Sequence, residues 1–299
     1  MSRTGESVAA HLILGPREEP FLEALLASLE LVAQTLIVND NGGGAADPSG
    51  ALQTSAFARD GRLIVDRTPF SGFAEARNAC LRVHTRESGA AWVAFVDADE
   101  VHGAAAARVA ANLGRLPAGI GFVDGYTWHF FQSFGYFTSI ERRMAFFRFV
   151  PGARWSGDVH ERLDGVPGRR IALPYVYAHY GHTLAPRRHA EKGRHYSSLG
   201  APGDVLREDQ LEDFDVRTYF APEWPRLMRF HGKHPRAARL TLERLGPELA
   251  RWHALTKEMA QHQPLPVKIR NLARAANYEI RWRGRALDPL ARHLALGRS

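Results

Sequence analysis

Cysteine is almost missing from this chain: Cys80 stands alone among 299 residues. One thiol excludes an intramolecular disulfide framework and any cysteine-based zinc knuckle, and it suits a reducing compartment. No apolar run approaches the length that spans a bilayer, and residues 1–16 lack the basic, apolar, small-residue order of an export signal. These absences lead to the expectation of a cytoplasmic protein. No Gly-x-Gly-x-x-Gly turn follows the first strand-like segment, and neither Gly-x-x-x-x-Gly-Lys-Ser/Thr nor His-Glu-x-x-His occurs. A dinucleotide fold, a P-loop NTPase and a zinc protease therefore have no anchor. Internal repeats and low-complexity tracts are absent too.

What remains is an ordinary globular mixture, 45% hydrophobic and 24% charged. Charge is the uneven feature. Residues 231–299 hold 14 Lys/Arg against 5 Asp/Glu, a net of +9, so the rest carries −2 of the chain's +7. A basic body built around nucleic acid does not fit that split, and no nucleic-acid partner is expected.

The first half alternates strand-like and helix-like segments. Val8–Leu14, Thr35–Val38, Leu63–Val65 and Trp92–Val96 read as short strands, with helical periods over Pro20–Leu31 and Ala74–His84. This predicts an α/β fold with a mostly parallel central sheet and flanking helices. Ile120–Phe137 is crowded with aromatics and reads either as stacking surface or as a hydrophobic subcore under a long loop. Met144–Val150 predicts a strand, and Arg170–His179 another, broken by Pro174. Residues 1–200 are expected to form the main domain and 201–299 a basic helical extension.

Ligands of open α/β sheets sit beyond the carboxyl ends of the strands. Asp40 lies at one such end. At another, Trp92–Val96 runs into Asp97-Ala98-Asp99-Glu100. Two carboxylates there suit a hard divalent cation, Mg²⁺ or Mn²⁺, which would in turn hold a diphosphate. The bland alternative is an acidic loop capping a helix over 103–113. Arg77 and Asn78 precede these acids on a helix, where a guanidinium can pair a phosphate or a carboxylate. Further on, His160-Glu161 joins an imidazole to a potential base, and His179 and His182 follow a strand.

In order and separation these pieces resemble the bacterial family-2-like glycosyltransferases with a GT-A (Rossmann-like) fold. The matching stretches are Arg17-Glu18-Glu19, Ile37-Val38-Asn39-Asp40, Phe73 to Asn78, Phe95 to Glu100, Met144 to Arg148, Trp155 to Glu161, Ala178 to Gly181 and Lys192 to Tyr196. The resemblance covers residues 8–200, with a weaker echo at Gly232 to Pro235. It implies transfer of a sugar from a nucleotide-sugar donor, with inversion as the family's commonest outcome. Asp99 would be the principal metal ligand and Asp97 would meet the donor ribose or the metal. Asp40 would lie near the nucleobase or ribose, Glu18 or Glu19 near the base, and Arg77 and Asn78 at the donor pocket. His179 would complete the metal shell, with His160 as competitor. Asn39-Asp40-Asn41-Gly42 departs from the common Asp-x-Gly/Ser-x-Asp, and His182 adds an imidazole where many relatives carry an aromatic.

Sugar transfer also needs a carboxylate that takes the acceptor's proton. Glu161 is the first candidate, with Asp158 and Asp124 behind it. Trp128, Tyr136 and Trp155 are candidates for the acceptor side. The acceptor is expected to be a glycan, glycolipid or lipid-linked precursor of the cell envelope, and the basic extension a contact with the anionic inner face of the membrane. Two other readings stay open at this point: a metal-dependent phosphoesterase or hydrolase using the same acids and histidines, and a non-catalytic carbohydrate-binding protein.

Overall fold

Residues 7–158, 161–198 and 215–285 are described by the structure, a computed structural model. Eleven strands are present among them: β1 (Val8–Leu14), β2 (Thr35–Asp40), β3 (Leu63–Asp66), β4 (Trp92–Phe95), β5 (Glu100–Val101), β6 (Ile120–Phe131), β7 (Tyr136–Arg148), β8 (Arg154–Ser156), β9 (Arg162–Asp164), β10 (Arg169–His182) and β11 (Met228–Arg229). The main sheet has the order β3-β2-β1-β4-β7-β6-β10-β5, with β11 beside β7, while β8 and β9 pair separately. In the main sheet only β7 and β5 run against the rest. The helices are α1 (Leu22–Leu29), α2 (Ala51–Thr54), α3 (Ala56–Arg59), α4 (Phe73–Glu87), α5 (Ala104–Asn112), α6 (Pro186–Ser198), α7 (Val216–Tyr219), α8 (Arg239–Gln261) and α9 (Leu265–Arg285). The architecture is mixed α/β, with a mostly parallel sheet and flanking helices.

Both faces of the parallel half are covered, which is why its strands read as unbroken apolar runs. Val8, Ala10, Leu12 and Leu14 of β1 pack with Leu22, Leu25 and Leu29 of α1 and with Ala106 and Val109 of α5. The alternate residue Ala9 joins Ile37 and, from α4, Cys80 and Val83 on the opposite face. Cys80 is fully buried, and burial pushes its thiol up to about 12, far from any nucleophilic role. Connectivity reverses at β1, which has β2 on one side and β4 on the other. Ligands of open α/β sheets bind at such a switch, beyond the carboxyl ends of the strands.

Two expectations are corrected in the second half. The aromatics of Ile120–Phe137, weighed as a subcore under a long loop, belong instead to strands: β6 and β7 form a long antiparallel hairpin paired from Phe122↔Phe147 to Phe130↔Phe137. Aromatics are good strand formers, but burial on both faces erased the alternation that marks a half-exposed strand. Nor does Pro174 break β10. The strand runs from Arg169 to His182, and its register against β6 shifts between Ala172 and Val176, so an irregularity absorbs the missing N–H.

The C-terminal helices lie against this body. Leu245 and Leu249 of α8 share a buried cluster with Phe21 and Ala24 of the α1 region and with Phe130 and Tyr180. Arg244 donates to the Pro20 carbonyl at 3.1 Å, and Thr256 donates to the Gln132 carbonyl at 3.1 Å. No helix among the described residues is long and apolar enough to cross a membrane.

Candidate active site

The acids predicted from sequence lie where the sheet ends. Parallel register sets Leu14, the last residue of β1, beside Asp40, the last of β2. Beyond β4 the chain turns through Asp97-Ala98-Asp99 into β5, which pairs antiparallel with β10 so that Glu100 faces His179. The Tyr180 N–H donates to the Asp99 carbonyl at 2.9 Å and fixes this turn to β10. Gly181 makes the approach feasible. A Cβ at that position would sit 2.1 Å from Asp99 Oδ2, so the carboxyl occupies the space of the missing side chain.

Each acid of this turn is paired with a cation. Asp97 accepts from Arg77 at 2.5 Å and from Arg143 at 3.2 Å. Arg143 also donates to Glu100 at 3.1 Å, bridging the two carboxylates. Asp99 accepts from Lys192 of α6 at 3.0 Å, and its other oxygen lies 3.3 Å from His179 Nε2. Burial works against charge on Asp97, but Arg77 and Arg143 outweigh it and hold the carboxyl below its usual range. Burial likewise opposes charge on Asp99, yet the His179 ring and Lys192 hold it far below that range. Glu100 goes the other way. Burial and the Asp97 charge push it up to about 8 against the pull of Arg143. Glu19 is pushed up to about 7 by burial and by Asp99. The edge thus holds two charged carboxylates flanked by two that retain a proton near neutrality.

Other predicted residues fall at varying remove. Arg77 is 5% exposed, lies 4.2 Å over the Phe95 ring and comes within 3.8 Å of Glu161, tying that carboxylate to the acid cluster. Glu18 is exposed and carries Arg188, which donates to its carbonyl. Asp40 is buried and accepts from the Gly44 N–H at 3.1 Å. Asn78 spends both ends of its amide on Trp155, donating to the carbonyl at 3.0 Å and accepting from the N–H at 2.9 Å. Trp155 itself is 4% exposed and stacks on Phe95. Trp128 packs edge-on against Phe230, and Tyr136 lies against the Phe131–Phe220–Trp224 cluster. Asp124 is buried between Arg142 at 2.6 Å and Arg170 at 3.5 Å. Asp158 is exposed, and His160 lies outside the described residues.

Three groups in the site had no role from sequence: Arg143, Lys192 and His129. Lys192 stands within a stretch that carries the family resemblance, which was its one signal. Arg143 and His129 reach the site only through the pairing of β6, β7 and β10, which no local pattern encodes.

These proton states have a consequence for stability. The folded chain keeps a proton on Glu100 up to about pH 8 that the unfolded chain releases near its ordinary 4.5. Stability contributed by that proton is lost as pH rises through the folded value. Histidines act in the opposite sense as pH rises through their ordinary 6.5: His179 and His189 are lowered to about 4 by burial, and His11, His84, His102, His182, His195, His234 and His253 are lowered by burial as well. The Glu100 contribution is therefore read as the stability difference between wild type and Glu100→Gln, which should fall by about 1–2 kcal/mol between about pH 6.5 and 8. Denaturant titrations of the two proteins across that window should show wild type losing stability relative to Glu100→Gln as pH rises. Parallel profiles for variant and wild type would refute this.

No protein-family description and no curated protein matches the chain. Among solved structures, the crystal structure of S. aureus TarS 1-349 is similar at 15% identity and a TM-score of 0.33, over 88% of this chain and 90% of that one. A likeness that slight assigns neither family nor activity.

Proposed function

We propose that this chain is a glycosyltransferase that moves a sugar from a nucleotide-sugar donor to a hydroxyl-bearing acceptor, a glycan or lipid-linked precursor. One observation carries the reading: Asp97 and Asp99 stand at the carboxyl end of β4, beside the β1 switch, interleaved with Arg77, Arg143 and Lys192. Acids that can hold a divalent cation, set among cations that can hold phosphate oxygens, suit a nucleoside diphosphate. The donor-side residues all lie before position 200, in the part proposed as the GT-A-like catalytic unit.

The residues fit a Mg²⁺ or Mn²⁺ ion. Asp99 Oδ1 is buried without a hydrogen-bond partner, and the carboxyl is held in its charged form. Such an ion supplies neutralisation of charge on a leaving diphosphate. Asp99 and Asp97 would hold it, with His179 beside them. Lys192 and Arg143 would take phosphate oxygens, while Glu19 and Asp40 would face the nucleoside. Glu161, poised near Arg77, is the proposed base for the acceptor hydroxyl, and direct displacement with inversion is the outcome the resemblance to family-2-like glycosyltransferases implies. The histidines beside Asp99 favour a second reading, metal-dependent phosphoester hydrolysis, which would release product in water with no acceptor present.

A panel of UDP-, GDP-, dTDP- and CMP-sugars, with and without Mn²⁺, tests the proposal. One donor should bind in a cation-dependent manner. Asp99→Ala should abolish that binding with far-UV circular dichroism unchanged. Glu161→Gln should retain donor affinity and lose roughly 10²-fold or more in transfer. Undiminished binding and turnover in both variants would sink the assignment.

The basic extension is proposed to contact anionic membrane. On α9, Leu265, Ile269, Leu272 and Ile280 are 60–73% exposed at helical spacing, while Asn271 is buried on another face. An apolar stripe on a helix carrying Lys268, Arg270, Arg274 and Arg281 suits an anionic interface. The full chain should float with phosphatidylserine-containing vesicles at low ionic strength and detach as salt shortens the Debye length. Failure to float at low salt would remove this contact.

A further inference from the structure

Three imidazoles from separate places in the sequence meet where β6 and β10 run side by side. Parallel register pairs His129 with His179. His182, three residues on, would point to the opposite face of a regular strand, but the register shifts between His179 and His182 and brings it back. The rings of His129 and His182 lie 4.8 and 5.2 Å from that of His179, centre to centre. One nitrogen from each of the three lies within 4.8 Å of the other two.

The surroundings hold these rings rather than satisfy them. His179 is 8% exposed, and its Nδ1 has no hydrogen-bond partner. On its other side, Nε2 faces Asp99 Oδ1 at 3.3 Å. Glu141 lies 3.4 Å from His129 Nε2 in the same way. A carboxylate behind an imidazole is the arrangement that orients metal-ligating histidines. The irregularity at His182 is braced: Gln132 donates to the His182 carbonyl from its backbone N–H at 2.8 Å and from its side chain at 3.1 Å. Gln132 does so at φ +48°, a left-handed conformation that a non-glycine residue adopts at a cost.

We infer that His129, His179 and His182 form a nitrogen site for a divalent ion of the zinc or cobalt class, with a further position open to water or an oxygen ligand. Three imidazole nitrogens favour such ions over Mg²⁺, which prefers oxygen. Zinc–nitrogen bonds are about 2.0–2.1 Å, so in a tetrahedral shell two ligand nitrogens lie about 3.3–3.4 Å apart, and the three rings must draw together by up to about 1.5 Å on loading. Asp99 acts here as a positioning residue, through His179. The site adjoins the proposed donor-binding acids but does not rest on the transferase reading.

Cobalt reports this chemistry without any nucleotide or activity. Metal-stripped full-length protein titrated with Co²⁺ should develop the intense visible bands of a low-coordinate nitrogen site at one equivalent. Zn²⁺ should displace it and Mg²⁺ should not. His129→Ala and His182→Ala should each weaken Co²⁺ binding by at least ~10-fold, the lower scale for damage to a histidine metal site. His182→Gln, with near-UV circular dichroism as a check, separates ligand loss from misfolding. X-ray absorption of the wild-type cobalt protein should count three imidazoles and needs no variant. An oxygen-only shell, or histidine variants that bind like wild type, would overturn the inference. Loss of the transferase reading with the cobalt spectrum intact would leave it standing.

Discussion

Repulsion among carboxylates at one sheet edge is the constraint around which this molecule is arranged. Asp97, Asp99 and Glu100 fall within four consecutive positions, and Asp99 also acts on Glu19 from the loop after β1. Packed together with water largely excluded, they are tolerable only if each is paired or keeps its proton. Arg143 resolves the tightest conflict by bridging Asp97 and Glu100. Lys192 does the same for Asp99, and Arg77 secures Asp97 from the other side. None of these cations is close in sequence to the acid it serves.

That separation explains the rest of the architecture. Arg143 reaches the edge because β7 runs antiparallel to both β4 and β6, joining the parallel half of the sheet to the long β6–β10 pair. Lys192 requires α6 to fold back after β10, and β10 requires Gly181 to clear the Asp99 carboxyl. The C-terminal helices then cover the far ends of the long strands, where Thr256 of α8 reaches the Gln132 carbonyl. Long strands and a helical cover thus serve one end, the placing of three cations and a row of imidazoles against four acids.

Legibility from sequence followed the range of the interactions. β1 to β4 and α4 were visible because burial on both faces leaves short apolar runs ending in polar residues, and Asp97 and Asp99 stood out as charges no core would accept. The hairpin of β6 and β7 was hidden, since its aromatics fit a loop subcore as well as a strand. Pro174 looked like a break because the irregularity that accommodates it depends on β6. The partners of the acids were the least visible: nothing near Arg143 announces that it faces residues more than forty positions away. His129 and His179 are neighbours through strand register alone. Asn78, placed at the donor by motif, has its amide committed to the Trp155 backbone, a contact 77 positions away that no local pattern announces.

The central claim is that the Asp97–Asp99 edge receives a diphosphate and its cation. The most direct measurement is a crystal structure with Mn²⁺ and a nucleoside diphosphate, with anomalous data collected at the manganese edge. An anomalous peak in bonding contact with Asp99 is expected, with phosphate oxygens against Lys192 or Arg143. A diphosphate lodged instead in the 390 Å³ groove lined by Arg82, Phe149 and Arg154, with no peak at Asp99, would contradict it.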